Sequence, residues 1–156
     1  MRIGVVSDTH RMKKFIDKTI PYLKECDLII HAGDNFLDSK YIYTLTNVPV
    51  MAVRGNCDFE NVEEELVFEV EDKTIFLCHG DKYCVKYGID MLESKAKSIN
   101  ADLVVFGHTH IPLCIQRDEI LYLNPGSVSL PREVSYRGFV ILDIENGKVQ
   151  TQEIKI

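Results

Sequence analysis

The stretch IGVVSDTH, residues Ile3–His10, sets a pattern that recurs along the chain. Its first four residues, Ile3–Val6, are apolar and largely β-branched, which is typical of a short strand buried on both faces. Asp8 and His10 follow with no linker between them and the strand. Because open α/β sheets bind ligands at the carboxyl ends of their strands, this stretch predicts a functional group of side chains at a strand end.

Four further apolar runs repeat the pattern, and each leads directly into a polar segment that contains His, Asp or Asn. All five histidines of the chain lie at these strand ends, and glycines accompany four of the five, which allows the backbone to turn sharply near a ligand. The further predicted strands are Leu28–Ile30, Val50–Val53, Thr74–Cys78 and Leu103–Phe106, followed by the polar segments His31–Asn35, Arg54–Asp58, His79–Asp81 and Gly107–His110.

Helical periodicity predicts three helices between these strands. Apolar residues at a spacing of three to four predict one helix over 12–23, which Pro21 should kink or restart. A second helix is expected over about 37–45, and a third between Gly88 and Asn100. The first half of the chain therefore alternates between strands and helices.

Hairpins dominate the second half of the chain and complete the fold prediction. A first half of alternating strands and helices followed by antiparallel strands favours two packed mixed β-sheets flanked by helices, of α+β or α/β class. No repeat or linker-like stretch divides the chain, so we predict a single domain over 1–156. The expected hairpins pair 66–70 with 74–78, 113–116 with 120–123, and 139–144 with 149–156.

The composition is that of an ordinary globular protein and argues against several classes of function. The chain has 156 residues, 46% hydrophobic and 27% charged, with a formal net charge of −6. No cluster of Lys and Arg suits a phosphate backbone, so general nucleic-acid binding is not expected. No run approaches the roughly 18 apolar residues of a membrane helix, and the amino terminus turns polar too soon for a signal peptide. The five cysteines lack a C-x-x-C pair, so we expect reduced thiols in a cytoplasmic protein.

The strand-end residues include a set of side chains suited to metal ions. Taken singly, D-x-H, G-D and H-G are weak motifs because such residues are also common in turns. Together they supply two carboxylates, four imidazoles and one amide oxygen, which suit two adjacent divalent ions better than a packed interior. His31 is instead expected to be a core histidine with satisfied hydrogen bonds. The candidate ligands are Asp8, His10, Asp34, Asn56, His79, His108 and His110.

A pair of divalent ions indicates the type of substrate. Two such ions held by two carboxylates keep a net positive charge, so the site should attract an anion. Ions about 3.5–4 Å apart suit in-line displacement at phosphorus, because one activates a water and both polarise the phosphoryl oxygens. The chemistry therefore favours a phosphate ester as the substrate.

Taken in order, the strand-end motifs resemble a known family, the calcineurin-like metallophosphoesterases. They most resemble the small, single-domain phosphodiesterase branch, the YfcE-like proteins, and the later segment Asn124–Ser127 fits that branch. The resemblance implies a four-layer αββα fold and a phosphodiesterase in which a metal-bridging hydroxide attacks phosphorus in line. The motifs that carry it are D-x-H at Asp8–His10, G-D at Gly33–Asp34, G-N-x-D at Gly55–Asp58, H-G at His79–Gly80 and G-H-x-H at Gly107–His110.

The resemblance also implies a role for each site residue. One group of ligands would hold the first metal, a second group would hold the second, and one carboxylate would bridge them. His79 and His108 would also stabilise the charge that develops during the reaction. The implied ligands are Asp8, His10 and His110 for the first metal, Asp34 as the bridge, and Asn56, His79 and His108 for the second metal. The residues assigned to catalysis are Asn56, His79, His108 and Cys57.

Cys57 departs from the superfamily pattern, which has a histidine after the G-N asparagine. A nucleophilic thiol would need an arginine six positions further on, and that position is Glu63. The remaining interpretations are a third-ligand role, a proton donor weakened by a lowered pKa near cations, and a small buried core residue. We expect weak protonation of the leaving group and therefore a preference for good leaving groups.

Several neighbouring residues are weaker candidates. Asp58 is either an orienting residue or a loop cap. Asn124 and Ser127 either border the pocket or form an ordinary turn. Three arginines are candidates for binding phosphate oxygens, each weighed against a solvated surface charge: Arg54, Arg132 and Arg137.

The implied cofactors are two divalent ions, with Mn²⁺ expected and Ni²⁺, Co²⁺, Fe²⁺ or Zn²⁺ as alternatives. A small phosphodiester is the expected substrate, no membrane partner is expected, and the oligomeric state is open, with a homo-oligomer as one option. Two other functions compete. A phosphomonoesterase or nucleotidase would use the same site, whereas a retromer-type protein-binding scaffold would be non-catalytic.

Overall fold

Two five-stranded sheets form the centre of the computed structural model, which describes residues 1–133 and 135–156. One sheet has the strand order β10-β9-β1-β2-β3 and the other β4-β5-β6-β8-β7. Both are mixed, because three neighbouring strands run parallel in each, β1, β2 and β3 in the first and β5, β6 and β8 in the second, and the remaining pairings are antiparallel. In chain order the elements are β1 (Arg2–Val6), α1 (Lys13–Leu23), β2 (Leu28–His31), α2 (Phe36–Thr46), β3 (Val50–Ala52), β4 (Glu65–Val70), β5 (Lys73–Cys78), a 3₁₀ turn (Asp81–Tyr83), α3 (Asp90–Ser98), β6 (Leu103–Val105), β7 (Pro112–Arg117), β8 (Ile120–Pro125), β9 (Gly138–Glu145) and β10 (Lys148–Lys155).

The apolar core explains why the central strands read as continuous hydrophobic runs. Ile3 and Val5 pack between the two sheets, whereas Val6 of the same strand packs on the opposite face with α1 and α2. In the second sheet Ile75 faces the inter-sheet core and Phe76 packs with residues of α3. Each central strand is thus buried on both faces. The predicted pair of packed mixed sheets flanked by helices is confirmed.

The predicted elements are all present, with one local error. The five strands, three helices and three hairpins occur where the sequence patterns indicate. The predicted restart at Pro21 is wrong, because α1 continues through it to Leu23. Pro21 lies in the last turn of the helix, and the buried Ile20 and Leu23 on either side anchor that turn in the core.

Two chemical properties of the described chain bear on the sequence predictions. None of the helices in residues 1–133 and 135–156 is long and apolar enough to cross a bilayer. All five cysteines are free thiols, of which Cys26 and Cys78 are buried and the other three are exposed.

The sheet packing brings two sets of strand ends together. The carboxyl ends of β1, β2 and β3 lie at one edge of the first sheet, and those of β5, β6 and β8 lie at one edge of the second. Hydrogen bonds join the two edges: Nδ1 of His79 contacts the Ala32 carbonyl at 2.8 Å, and the His108 amide donates to Oδ2 of Asp8 at 3.2 Å. The residues at these ends therefore meet at one place between the sheets.

Candidate metal centre

Four of the candidate ligands form a compact cluster beyond the end of β1. One ligand atom from each of Asp8, His10, Asp34 and His110 lies within 4.8 Å of the others. The Nε2 atoms of His10 and His110 are 3.3 Å apart, and Nε2 of His110 lies 3.1 Å from Oδ1 of Asp8. Nitrogen and oxygen donors thus converge on one point, as a divalent transition metal requires.

Asp34 connects this cluster to a second group of imidazoles. Its Oδ2 atom lies 3.7 Å from Nε2 of His10, whereas its Oδ1 atom lies 3.3 Å from Nε2 of His79. The same Nε2 atom of His79 is 3.2 Å from Nδ1 of His108. The two oxygens of one carboxylate therefore face two separate groups of imidazole nitrogens, which is the arrangement that a bridging ligand needs.

Asp8 provides an independent test of whether the cluster fits a cation. Its side chain is fully buried, and Oδ1 makes no hydrogen bond among the described residues, although Nε2 of His110 lies 3.1 Å from it. Oδ2, in contrast, accepts bonds from Oγ of Ser7 at 2.6 Å and from the His108 amide at 3.2 Å. A buried polar atom left without a partner costs on the order of 1–3 kcal/mol, and more when it is charged. A cation in the cluster would satisfy this oxygen, so the donor set fits a metal ion.

Backbone carbonyls orient two of the imidazoles. Nδ1 of His79 lies 2.8 Å from the Ala32 carbonyl oxygen, and Nδ1 of His110 lies 2.6 Å from that of Leu130. Because a carbonyl only accepts hydrogen bonds, each Nδ1 carries the hydrogen and each Nε2 points into the cluster. Metal-binding histidines are commonly held in this way by a partner behind the ring.

The electrostatics of the site favour positive charge. Burial disfavours the protonated form of His79, but its hydrogen bond to Asp34 and the nearby carboxylates outweigh that effect and raise its pKa to about 9. Burial likewise opposes ionisation of Asp34, yet its contact with His79 and the amide of Cys57 holds the carboxyl pKa far below its usual range. In contrast, burial lowers the pKa of His10. Asp34 thus stays ionised in a buried position.

Asn56 is the one candidate ligand that the observed contacts do not bring into the cluster. Its side chain is exposed, and Nδ2 donates to Sγ of Cys57 at 3.5 Å. It does share with His79 a cavity of about 190 Å³. Its assignment as a ligand of the second metal stays a prediction.

Cys57 differs from one of the expectations for it. Its side chain is exposed, so the interpretation as a small buried core residue is wrong. Partial desolvation of the sulfur raises the thiol pKa to about 11, and the nearby Asp34 carboxylate adds to that rise. The lowered pKa expected beside bound cations stays a prediction for the metal-loaded protein. Its backbone amide also donates to Oδ1 of Asp34 at 3.0 Å.

Asp58 acts as a cap and also ties two loops together. Its Oδ1 atom accepts bonds from the amides of Asn35 at 2.9 Å and Phe36 at 2.8 Å, at the start of α2. Its Oδ2 atom accepts a bond from the amide of Gly55 at 2.8 Å. The interpretation as a loop cap is confirmed, and the loop after β3 is fixed to the loop after β2. An orienting role for Asp58 stays a prediction.

The three candidate arginines differ in their relation to the site. Arg54 lines the cavity beside His79, and its guanidinium forms an ion pair with Glu64. Arg137 donates from Nε to the Ser129 carbonyl at 2.9 Å, which gives it a structural contact. Arg132 is exposed.

Several polar residues that support the ligands were weak or absent in the sequence prediction. Ser127 and Ser129 both donate to the backbone carbonyl of Asp8, at 2.7 and 2.9 Å. Asn124 donates to the Gly107 carbonyl at 2.7 Å and so supports the loop that carries His108 and His110. Ser7, which precedes Asp8 directly, and Ser129 were not predicted. No local pattern distinguishes such serines from ordinary turn residues.

Comparison with known proteins places the chain among phosphoesterases. The family model described as the calcineurin-like phosphoesterase superfamily domain matches residues 1–147. The probable metallophosphoesterase YsnB of Bacillus subtilis is 30% identical over 148 residues, covering 94% of this chain and 86% of that protein.

Solved structures show the same architecture. A protein described as a novel archaeal phosphodiesterase superposes with a TM-score of 0.79 at 26% identity, covering 99% of this chain and 100% of that one. The Zn²⁺ complex of Vps29 from Entamoeba histolytica superposes with a TM-score of 0.78 at 19% identity, covering 99% of both chains. At that identity the second likeness concerns the fold alone.

Proposed function

The chain belongs to the calcineurin-like phosphoesterase superfamily, and we propose from this premise that it is a dinuclear metal-dependent phosphodiesterase. The observation that carries the proposal is the position of Asp34, whose two oxygens face His10 on one side and His79 on the other. Oδ1 of Asp8, which accepts no hydrogen bond from the described residues, adds a second reason to place a cation there.

Some residues of the site bind the metal ions, and others orient the residues that bind them. Two divalent ions, when bound, supply an activated water for in-line attack at phosphorus and polarise the phosphoryl oxygens. Mn²⁺ is the ion we propose first, with Ni²⁺, Co²⁺, Fe²⁺ or Zn²⁺ as alternatives. Backbone carbonyls hold the rings of His79 and His110 in place, so that little reorganisation is needed. The ligands are Asp8, His10 and His110 for one ion, His79, His108 and Asn56 for the other, and Asp34 between them.

The cavity beside the metal centre gives the ester a place to bind. It is lined by His79, Asn56 and Arg54 among others, and its volume is about 190 Å³. We propose that one ester group of a small phosphodiester enters it while the phosphorus lies over the metal centre. His79 and His108 would face the phosphoryl oxygens as negative charge develops on them.

The proposed activity is tested with a chromogenic phosphodiester. Purified protein treated with a chelator should lose hydrolysis, and added Mn²⁺ should restore it. Restoration should raise the rate by at least about 10³-fold, because Lewis-acid stabilisation of this kind is worth several kcal/mol. Metal analysis of the active protein should give close to two ions per chain. Hydrolysis that persists in metal-free protein would contradict the proposal.

The two rival functions give different results in the same assay. A phosphomonoesterase or nucleotidase would hydrolyse p-nitrophenyl phosphate faster than the matched diester. A protein-binding scaffold, which the fold shared with Vps29 keeps as an alternative, would bind metal without turnover of either ester. The diester is proposed first because a cavity lined by His79 and Asn56 adjoins the proposed site of the second ion.

Cys57 offers a prediction about the leaving group. Replacing it with alanine should leave hydrolysis of an activated p-nitrophenyl diester within about threefold of wild type, because such a leaving group needs no proton. Cys57→His should instead raise hydrolysis of an unactivated alkyl diester by about tenfold or more, since imidazole is the better general acid near neutral pH. Loss of activity toward the activated diester in Cys57→Ala would contradict this view. Steady-state rates on the two diesters provide the measurement.

The remaining proposals concern partners and location. Five free thiols suit a reducing compartment, so we propose the cytoplasm. The net charge of −6 favours a small phosphodiester over nucleic acid as the substrate.

A further inference from the structure

A buried polar network lies behind the metal centre and has no role in the steps described above. Thr9 and His31 are fully buried, and Asp38 is 5% exposed. Nε2 of His31 lies 3.0 Å from Oγ1 of Thr9, which donates to Oδ2 of Asp38 at 2.6 Å. Three polar side chains thus form one hydrogen-bonded chain in the interior. Each bond left unmade there would cost about 1–3 kcal/mol.

The hydrogens of this network can be assigned from its ends. The backbone amide of Gly33 donates to Nδ1 of His31 at 3.2 Å, so Nδ1 carries the lone pair and Nε2 carries the hydrogen. His31 then donates to Thr9, and the hydroxyl hydrogen of Thr9 goes to Asp38. Asp38 lies in the first turn of α2, where the positive end of the helix stabilises a carboxylate. Burial lowers the pKa of His31, which agrees with a neutral ring.

The network holds two of the three segments that carry the cluster of Asp8, His10, Asp34 and His110. Thr9 lies between the ligands Asp8 and His10, and Oδ2 of Asp38 also accepts a bond from the amide of Arg11 at 2.8 Å. Gly33, at the other end of the network, directly precedes Asp34. The network therefore connects the loop after β1 to the loop after β2.

The loop after β1 has a strained backbone that needs such support. Asp8, His10 and Arg11 have φ values of 54°, 46° and 59°, in the left-handed region that residues other than glycine rarely adopt. A conformation of this kind costs of order 1–3 kcal/mol per residue and persists where the surroundings determine it. The hydroxyl of Thr9 and the carboxylate of Asp38 supply fixed bonds at two points of this loop.

We propose that Thr9, His31 and Asp38 are positioning residues that hold Asp8 and His10 at the distance from Asp34 that metal binding requires. This inference rests on the proposed function, because it assigns the network to the same metal centre. Its consequence is that the Thr9 hydroxyl, which touches neither substrate nor metal, controls metal affinity.

The test removes one hydroxyl and preserves the shape of the side chain. Thr9→Val should weaken the apparent affinity for Mn²⁺ about 10–100-fold, the usual effect of losing a group that orients a metal ligand. Thr9→Ser keeps the hydroxyl and should restore affinity to within about threefold of wild type. Equilibrium titration of metal-free protein with Mn²⁺ measures the affinity, and denaturant unfolding of the same samples measures stability.

Thr19→Val is the matched control. Thr19 is also buried, but its hydroxyl donates to the Ile16 carbonyl within α1 at 2.7 Å, away from the site. Thr19→Val should change the free energy of unfolding while leaving the Mn²⁺ affinity within about twofold of wild type. Wild-type affinity in Thr9→Val, or an equal loss of affinity in Thr19→Val, would overturn the proposal.

A second measurement needs neither metal nor activity. Nitrogen NMR of metal-free wild-type protein should find His31 neutral with its hydrogen on Nε2. A hydrogen on Nδ1, or a doubly protonated ring at neutral pH, would overturn the network even if Thr9→Val does not fold. If wild-type protein shows this tautomer and binds Mn²⁺ but hydrolyses no ester, the proposed function fails while the positioning role stands.

Discussion

Asp34→Ala should lose at least about 10³-fold in diester turnover, which corresponds to about 4 kcal/mol of transition-state stabilisation. The physical reason is that one carboxylate faces both groups of imidazoles, at 3.7 Å from His10 and 3.3 Å from His79. Without it the group around His79 keeps no carboxylate, and the cluster around His10 keeps only that of Asp8. Steady-state rates and metal content per chain measure the loss.

A matched control separates this effect from general destabilisation. Asp27 precedes β2 at its opposite end, and its Oδ2 atom accepts a bond from the amide of Arg2 at 2.7 Å. Asp27→Ala removes a carboxylate that also bonds to backbone, but it should leave turnover and metal content within about twofold of wild type. Asp34→Ala should keep its far-ultraviolet circular dichroism spectrum. Full activity in metal-stripped Asp34→Ala protein would refute the mechanism.

Gly55→Ala should damage both stability and activity, although it adds a single methyl group. A Cβ atom at position 55 would lie 2.2 Å from Oδ1 and 2.6 Å from the backbone nitrogen of Asp34. The second atom belongs to the backbone and cannot rotate away, so the two loops must separate. We expect a loss of about 1–3 kcal/mol in the free energy of unfolding, as for other overpacked sites. A shift of about 1 Å at Asp34 should lower turnover about 100-fold.

Gly88→Ala controls for the replacement of a glycine itself. Gly88 has a φ of +139°, and a Cβ atom there would meet nothing nearer than Oδ2 of Asp90 at 3.9 Å. This variant should show backbone strain of about 1–3 kcal/mol without loss of turnover. Denaturant unfolding and steady-state rates of both variants make the comparison. Equal turnover in the two variants would show that the contact between Gly55 and Asp34 has no special importance.

The sequence predicted the architecture because the central strands are buried on both faces. Continuous apolar runs such as Ile3–Val6 leave little choice of structure, and the polar residues that follow them mark the strand ends. Parallel neighbours then bring those ends to a common edge. The restart predicted at Pro21 failed because local propensity was overridden by the buried side chains on either side.

The candidate site was predictable in its composition but not in its connections. The sequence indicated Asp8, Asp34 and His79 as candidates because each lies in the short polar segment that follows an apolar strand. The sequence provided no means to find the Thr9–His31–Asp38 chain, because Thr9 lies 22 residues from His31 and 29 residues from Asp38 along the sequence. One of the alternatives left open for Cys57, a small buried core residue, is wrong, since its exposure depends on how the loop after β3 packs.

The sequence by itself thus determined which elements form and which side chains stand at their ends, because both follow from local patterns of apolar and polar residues. The tertiary structure alone decided which ends meet. His79 reaches the Ala32 carbonyl across two sheets, and Asp34 comes between His10 and His79, because the inter-sheet core holds the two edges at a fixed distance. Contacts between residues distant in sequence depend on that packing, and no local pattern encodes them.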